Sequence, residues 1–227
     1  GLVYMPLNGI NYTEVNMRYY TGEEIPEERL SISSKDLPSI DSIQFEYARK
    51  LCRQNDKKVE LSSPVRDTVI SGSVVKIRKG FKGSLQVFAS DSVIVEEGVV
   101  MEYPSGIYVD SGERRPYVSL ERGSKVNGYI IVSSQNSDSQ LRHPSYVHKS
   151  GATLNGLLYV DGSCNIEGDI IGAAYVKDCY YYSNGNVYAG TLYDARVVRS
   201  DSLAFPIFLE GPYERKMIRK LHRVWKG

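Results

Sequence analysis

An all-β fold, with residues 61–210 wound as a single-stranded parallel β-solenoid, is what the sequence predicts. Three observations predict it. A unit of apolar, any residue, Gly, any residue, apolar recurs along the chain. Its glycine keeps step with the aliphatic side chains and not with the polar ones. Two long copies of the unit match at one constant offset.

The unit reads Ile70-Ser71-Gly72-Ser73-Val74, Phe81-Lys82-Gly83-Ser84-Leu85, Val126-Asn127-Gly128-Tyr129-Ile130, Leu154-Asn155-Gly156-Leu157-Leu158 and Ile166-Glu167-Gly168-Asp169-Ile170, with a degraded copy at Tyr188-Ala189-Gly190-Thr191-Leu192. The stretch Gly123 to Val132 aligns with Gly151 to Val160 at an offset of 28 residues. Leu154-Asn155-Gly156, Val160-Asp161-Gly162 and Ile166-Glu167-Gly168 follow one another at a step of six.

Strand side chains alternate between two faces. Val126, Gly128, Ile130 and Val132 share one parity, as do Phe81, Gly83, Leu85 and Val87. The other parity carries Lys82, Ser84, Gln86, Asn127, Tyr129, Asn155, Glu167 and Asp169. One face is therefore aliphatic and the other polar or aromatic. Gly72, Gly83, Gly128, Gly156, Gly162 and Gly168 sit where a chain bending around a core has least room on its inner side, and Gly tolerates such a bend. The alternative is an antiparallel sandwich, which also alternates but does not put Gly in register with its apolar face. At about 18–22 residues per turn, the repeat region gives about seven turns. Stacked at ~4.8 Å, these make a rod of ~35 Å. The stretch 133–145, rich in Ser, Asn and Gln, reads as a loop that lengthens one turn.

Residues 1–60 are a mixed N-terminal segment broken by Pro6, Pro26 and Pro38. One helix is predicted at 42–53, because Ile43, Tyr47 and Leu51 share a face and Asp41 or Ser42 can cap it. Its expected role is to cover an end of the repeat. Residues 211–227 read as a basic amphipathic helix. Met217, Ile218, Leu221, Val224 and Trp225 form the apolar stripe, and Arg215, Lys216, Arg219, Lys220, Arg223 and Lys226 the charged face. The stripe fits a cap over the last turn. As a second reading, Arg215, Lys216, Arg219, Lys220, Arg223, Trp225 and Lys226 would contact an anionic membrane or envelope polymer.

The apolar-x-Gly-x-apolar unit resembles that of the bactofilins, polymer-forming bacterial cytoskeletal proteins, over residues 65–200. The resemblance implies a right-handed β-helix, no catalytic centre, no bound nucleotide, self-association end to end and a place at membranes. The steps of six are also similar to those of left-handed hexapeptide acyltransferases, which need many consecutive hexads where this chain has three.

Composition agrees with an ordinary globular chain: 41% hydrophobic, 24% charged, net charge +1. Such a balance supplies no field for nucleic acid, and no nucleic-acid partner is expected. Tyrosine is abundant at 18 residues, which suits wide outward β faces. The cysteines Cys52, Cys164 and Cys179 make no framework, and one bridge, Cys164 to Cys179, stays open. No apolar run approaches the ~20 residues of a membrane span. The chain opens at Gly1 without an initiator Met, which leaves a preceding signal or membrane anchor open.

Candidate chemistry is sparse. His143 and His148 flank Pro144-Ser145-Tyr146-Val147 next to the proposed loop and read as solvent-exposed, and His222 lies in the basic end. Asp161, Glu167, Asp169, Asp178 and Asp194 are the carboxylates that a glycan-cleaving β-helix would need on its outer face. Outward acids also solvate an ordinary sheet. No phosphate-binding glycine loop and no zinc-type cysteine spacing is present. The sequon Asn11-Tyr12-Thr13 matters only in a secreted eukaryotic protein. The expectation is a non-enzymatic scaffold of a bacterial cell envelope, without cofactor or metal. The alternatives are a carbohydrate-binding or carbohydrate-active β-helix, for which Tyr180-Tyr181-Tyr182 would serve as the aromatic surface, and a membrane-surface module.

Overall fold

The computed structural model describes residues 2–7, 9–39, 42–112, 114–133, 144–202, 207–208 and 219–220. In chain order the elements are β1 (Val3–Met5), a short 3-10 turn (Glu27–Arg29), β2 (Leu30–Ile32), α1 (Ser42–Cys52), β3 (Val59–Leu61), β4 (Thr68–Ile77), β5 (Lys82–Gly83), β6 (Leu85–Val95), β7 (Val100–Asp110) and β8 (Tyr117–Leu120). They continue with β9 (Lys125–Ser133), β10 (Tyr146–His148), β11 (Thr153–Ile166), β12 (Asp169–Ser183), β13 (Asn186–Ala189), β14 (Arg196–Val198), β15 (Ile207–Phe208) and β16 (Arg219–Lys220).

The protein is all-β apart from α1. Strands β3 to β14 form one sheet of 12 strands, and among the described residues its pairings are parallel except for the β12–β13 hairpin. A stack of antiparallel hairpins would pair neighbours the other way, so the sandwich alternative fails on register.

The parallel pairs fall into three columns. In the first, Gly83, Met101, Val126, Leu154, Ile170 and Val197 lie one above another. The second runs Ile70, Val87, Ile107, Ile130, Leu158, Ala174. The third runs Leu61, Ile77, Val95, Leu120, His148, Ile166. Side chains from all three columns share a single apolar core. The expected aliphatic parity is the inward one: Val126, Ile130 and Val132 are fully buried in that core.

Successive rows are offset by 16 residues at Leu154–Ile170, 18 at Val75–Val93 and 28 at Val126–Leu154, a wider spread than expected. The 28 arises where β9 ends at Ser133 and β10 begins only at Tyr146. The loop expected there falls mostly outside the described residues. The step of six has a simple origin. Gly156, Gly162 and Gly168 lie between successive register positions, from the first column to the second, the second to the third, and the third to the next first.

The reason for glycine differs from the expectation. Space inside the corner is not what runs out. A Cβ built on Gly83, Gly128 or Gly156 would overlap the carbonyl oxygen of Val65, Ser105 or Gly128, which belongs to the row beneath. At Gly72 the nearest atom is Lys57 O at 2.9 Å, and at Gly168 it is Ala152 O at 2.6 Å. Gly162 is limited by the Ser145 side chain at 2.7 Å. The constraint is thus axial, set by the strand spacing of about 4.8 Å. A second glycine series escaped the sequence reading. Gly80, Gly98, Gly123 and Gly151 adopt φ of +91, +71, +70 and +77 at the corner from the third column back to the first. Each closes a turn, for example with Val99 N–H donating to Glu96 O at 3.3 Å.

The N-terminal segment follows an unexpected path. Predicted to cover an end, α1 instead lies against the outer face of the second column. There Phe88, Tyr108, Ile131, Tyr159 and Tyr175 are stacked in register and present an aromatic face too large to leave in water. Ala48, Leu51 and Cys52 pack on it. Tyr47, expected on the buried stripe, is 41% exposed. Small side chains at 48 and 52 let the helix approach the rings closely, which Tyr47 would prevent.

The contacts trace the path. Tyr159 Oη donates to Pro38 O at 3.3 Å, Arg49 meets Asp110, and Asn55 Nδ2 donates to Ser71 O at 2.9 Å. The described residues from Pro38 to Lys57 thus meet the face from the β11 row down to the β4 row. Only the last of them act as an end cap, where Lys57 O accepts from Ser73 N–H at 2.9 Å. At the opposite end, Tyr188 Oη donates to Asn16 Oδ1 at 3.1 Å. The predicted helix at 211–227 lies outside the described residues except for Arg219 and Lys220, which pair as a two-residue strand with Ile207–Phe208.

Candidate functional site

Among the described residues, two buried polar clusters hold titratable side chains packed against the columns. The first lies under α1. Asp110 ends β7 and is 5% exposed. Its Oδ2 accepts from Arg49 Nε at 2.7 Å and from Tyr108 Oη at 3.4 Å, while Oδ1 accepts from the Gly112 N–H at 3.1 Å. Hydrogen bonding to Asp110 raises the Arg49 guanidinium's pKa, and burial opposes this. Cys52 Sγ donates to Tyr108 O at 3.8 Å, and burial pushes its thiol up to about 12. A thiol so protonated is a poor nucleophile. Beside them Tyr129 Oη donates to Gln86 Oε1 at 3.1 Å. This cluster anchors α1 to the sheet and directs no group toward solvent except the partly exposed Arg49.

The second cluster corrects the reading of His148 as exposed. His148 is fully buried, stacked in register between Leu120 and Ile166. Ala152 O can only accept, so His148 Nε2 carries the proton and donates to it at 2.9 Å. Nδ1 is then the acceptor for Tyr146 Oη at 2.9 Å. Both ring nitrogens are satisfied by the neutral tautomer. Desolvation lowers the His148 pKa below 6.5, against a hydrogen bond to Ala152 and the charge of Asp169, which raise it.

The sign of the resulting pH dependence follows from linkage. The unfolded chain takes up a proton near pH 6.5 and the folded chain only at lower pH. Stability is therefore expected to fall as pH drops below 6.5, with a slope of at most about 1.4 kcal/mol per pH unit from this group. The fall levels off below the folded value. Urea midpoints measured across this window should show a slope that is missing in His148→Gln. Equal slopes in the two proteins would contradict the assignment.

Three of the expected surface carboxylates, Asp161, Glu167 and Asp169, have separate partners. Asp161 lies 3.8 Å from Lys177, Asp169 lies 4.0 Å from Arg196, and Glu167 Oε1 accepts from Asn165 Nδ2 at 3.0 Å. Each is thus turned to a different neighbour, and none to another carboxylate. A shallow depression at the third-to-first corner is lined by Lys79, Glu96, Glu97, Glu121 and Arg122. Ion pairs run across it: Arg78–Glu96 at 2.8 Å and Lys79–Glu97 at 3.2 Å. Among the described residues no three His, Cys, Asp or Glu side chains group as a metal site, and no helix is long and apolar enough to cross a membrane. His143, His222 and the basic-end residues Arg215, Lys216, Arg223, Trp225 and Lys226 lie outside the described residues. The side chains of Arg219 and Lys220 are likewise not described.

Several tyrosines expected on outward faces are buried instead. Tyr108, Tyr129, Tyr146 and Tyr180 are at most 1% exposed. Tyr181 stacks on Tyr193 at 4.1 Å between ring centroids, leaving Tyr182 as the exposed member of the Tyr180-Tyr181-Tyr182 run. The pairing of Tyr129 with Gly106, a ring beside a bare backbone, emerges only from the strand register.

The molecule belongs to the class of all-β proteins with a parallel, column-stacked sheet and a helix-covered aromatic face. Comparison with protein-family models, with curated proteins and with solved structures gives no match for this chain.

Proposed function

We propose that the chain is a non-enzymatic scaffold of a bacterial cell envelope, wound as a single-stranded, right-handed parallel β-solenoid of the bactofilin kind. One observation carries the reading: the three columns run in register through six rows around one apolar core. Two of the polar side chains the fold buries, His148 and Asp110, are bonded to neighbouring protein groups. Such a body offers length, rigidity and repeated outer faces. Burial makes Cys52 and His148 poor reagents, and a scaffold needs neither as one.

Self-association is the test. Size-exclusion chromatography with light scattering, over rising concentration, is expected to show a mass that grows beyond one chain. Negative-stain images should show elongated assemblies. A single monomeric species at the highest attainable concentration would overturn the scaffold reading.

A further inference from the structure

The inner line of the third column ends in two cysteines. Val59, Val75, Val93, Val118, Tyr146, Cys164 and Cys179 lie one above another, each in parallel register with the next. Cys164 is fully buried in the core, and Cys179 is partly buried against the same core. Both thiols are free. In-register strand neighbours stand about 4.8 Å apart at Cα. That is inside the window of about 4.4–6.8 Å in which disulfides form. The chain's third cysteine, Cys52, belongs to the separate aromatic cluster under α1.

We propose that Cys164 and Cys179 form a reversible cross-strand disulfide, a redox-dependent clasp between the β11 and β12 rows. Two features distinguish the pair from small apolar residues that merely share a core. The ladder changes register between Val160 and Ser163, immediately before Cys164, so the backbone entering the pair is irregular and can adjust. Just beyond Cys179, the chain leaves the stack. Tyr180–Ser183 turn into the antiparallel hairpin with β13, and the Gly190 N–H takes the Cys179 carbonyl at 2.7 Å. Cys179 is thus the last in-register residue of its column, where a row has least to hold it down. Parallel side chains in register hold their Cβ atoms wider apart than a relaxed disulfide prefers. The bridge must draw the rows together, which makes it easier to reduce than an unstrained one.

The chemistry is thiol–disulfide exchange with a small disulfide such as oxidised glutathione. Cys179, the more accessible thiol, loses its proton and attacks one glutathione sulfur, releasing the other as glutathione thiolate. Cys164 then loses its proton and attacks the Cys179 sulfur of the mixed disulfide, releasing the second glutathione. Two electrons pass from the protein to glutathione, and the two protons end on its thiols. Burial raises both cysteine pKa values, so the exchange is slow, although its end point is unaffected.

The inference is independent of the envelope reading, because the geometry alone decides whether the bridge forms. The folded full chain is equilibrated in glutathione buffers from reducing to oxidising, quenched in acid, unfolded, alkylated and digested. The expected product is a joined Cys164–Cys179 peptide pair, an intact mass lower by two hydrogens, and Cys52 alkylated throughout. The bridged form should melt higher by about 4–8 °C. In Cys164→Val the resolving thiol is gone, and Cys179 should keep a stable glutathione adduct that the unmodified chain does not keep. Full alkylation of both cysteines at the oxidising limit, or a persistent adduct on Cys179 with Cys164 present, would overturn the proposal. So would a bridge to Cys52.

Discussion

A single methyl group at position 156 is expected to cost the fold more than about 4 kcal/mol, at the far end of what point substitutions do. Gly156 has φ of +149, a conformation that L side chains rarely adopt. Its added Cβ would overlap the carbonyl oxygen of Gly128 in the row beneath. Relief by local movement is blocked, because Ser105, Gly128, Gly156 and Gly172 occupy one register line. Parting one pair breaks the ladder bonds on both sides of it. Against a total stability of about 5–15 kcal/mol, Gly156→Ala should leave little folded protein. Gly98 supplies the control. It also has positive φ, +71, but nothing lies within 4 Å of its Cβ position. Gly98→Ala should therefore cost only the backbone term, about 1–2 kcal/mol. Denaturant unfolding, or soluble yield if the first variant does not fold, decides between them. Losses within about 1 kcal/mol of each other would show that the axial clash is not what selects glycine.

Parts of this architecture were plain in the sequence because they repeat. The offset of 28 seen between Gly123–Val132 and Gly151–Val160 is the register that joins Lys125–Val132 to Thr153–Val160. A period of two assigned Val126, Ile130 and Val132 to the core, since any strand sorts its side chains onto two sides. The same rule could not say that both sides are buried. Tyr129 read as outward, and it is, but α1 lies over the face it shares with Phe88 and Tyr108. Nothing in a two-fold alternation encodes a cover supplied by a helix far upstream in the chain. His148 was misjudged for a related reason. Tyr146–His148 is a strand of three residues beside the loop region, too short to establish a parity of its own. Its inward position comes from Leu120 below and Ile166 above.

Gly106 and Tyr129 are expected to be coupled, so that one substitution abolishes most of the effect of the other. The two residues are register partners on the covered face of the second column. The Tyr129 ring lies across Gly106 and reaches one strand further, where its hydroxyl donates to Gln86 at 3.1 Å. A Cβ at Gly106 would occupy the place of that ring. Unlike Gly156, Gly106 has no positive φ, so its backbone accepts a side chain once the ring is gone. Tyr129 is fully buried, and Tyr129→Ala should cost about 3–5 kcal/mol from lost burial and the cavity left behind. Gly106→Ala alone should cost about 1–3 kcal/mol, because the ring must be forced from its position. In the double variant the added methyl enters the space the ring vacated, and the combined loss should fall short of the sum by about 1–3 kcal/mol. Tyr129→Phe keeps the ring, so its combination with Gly106→Ala should retain the clash while losing about 1 kcal/mol of hydrogen bond. The unmodified chain, Gly106→Ala, Tyr129→Ala and their double variant form a cycle measurable by urea unfolding. Strict additivity of Gly106→Ala and Tyr129→Ala would mean that the glycine is kept for its backbone, as at Gly156, and not to make room for the aromatic ring.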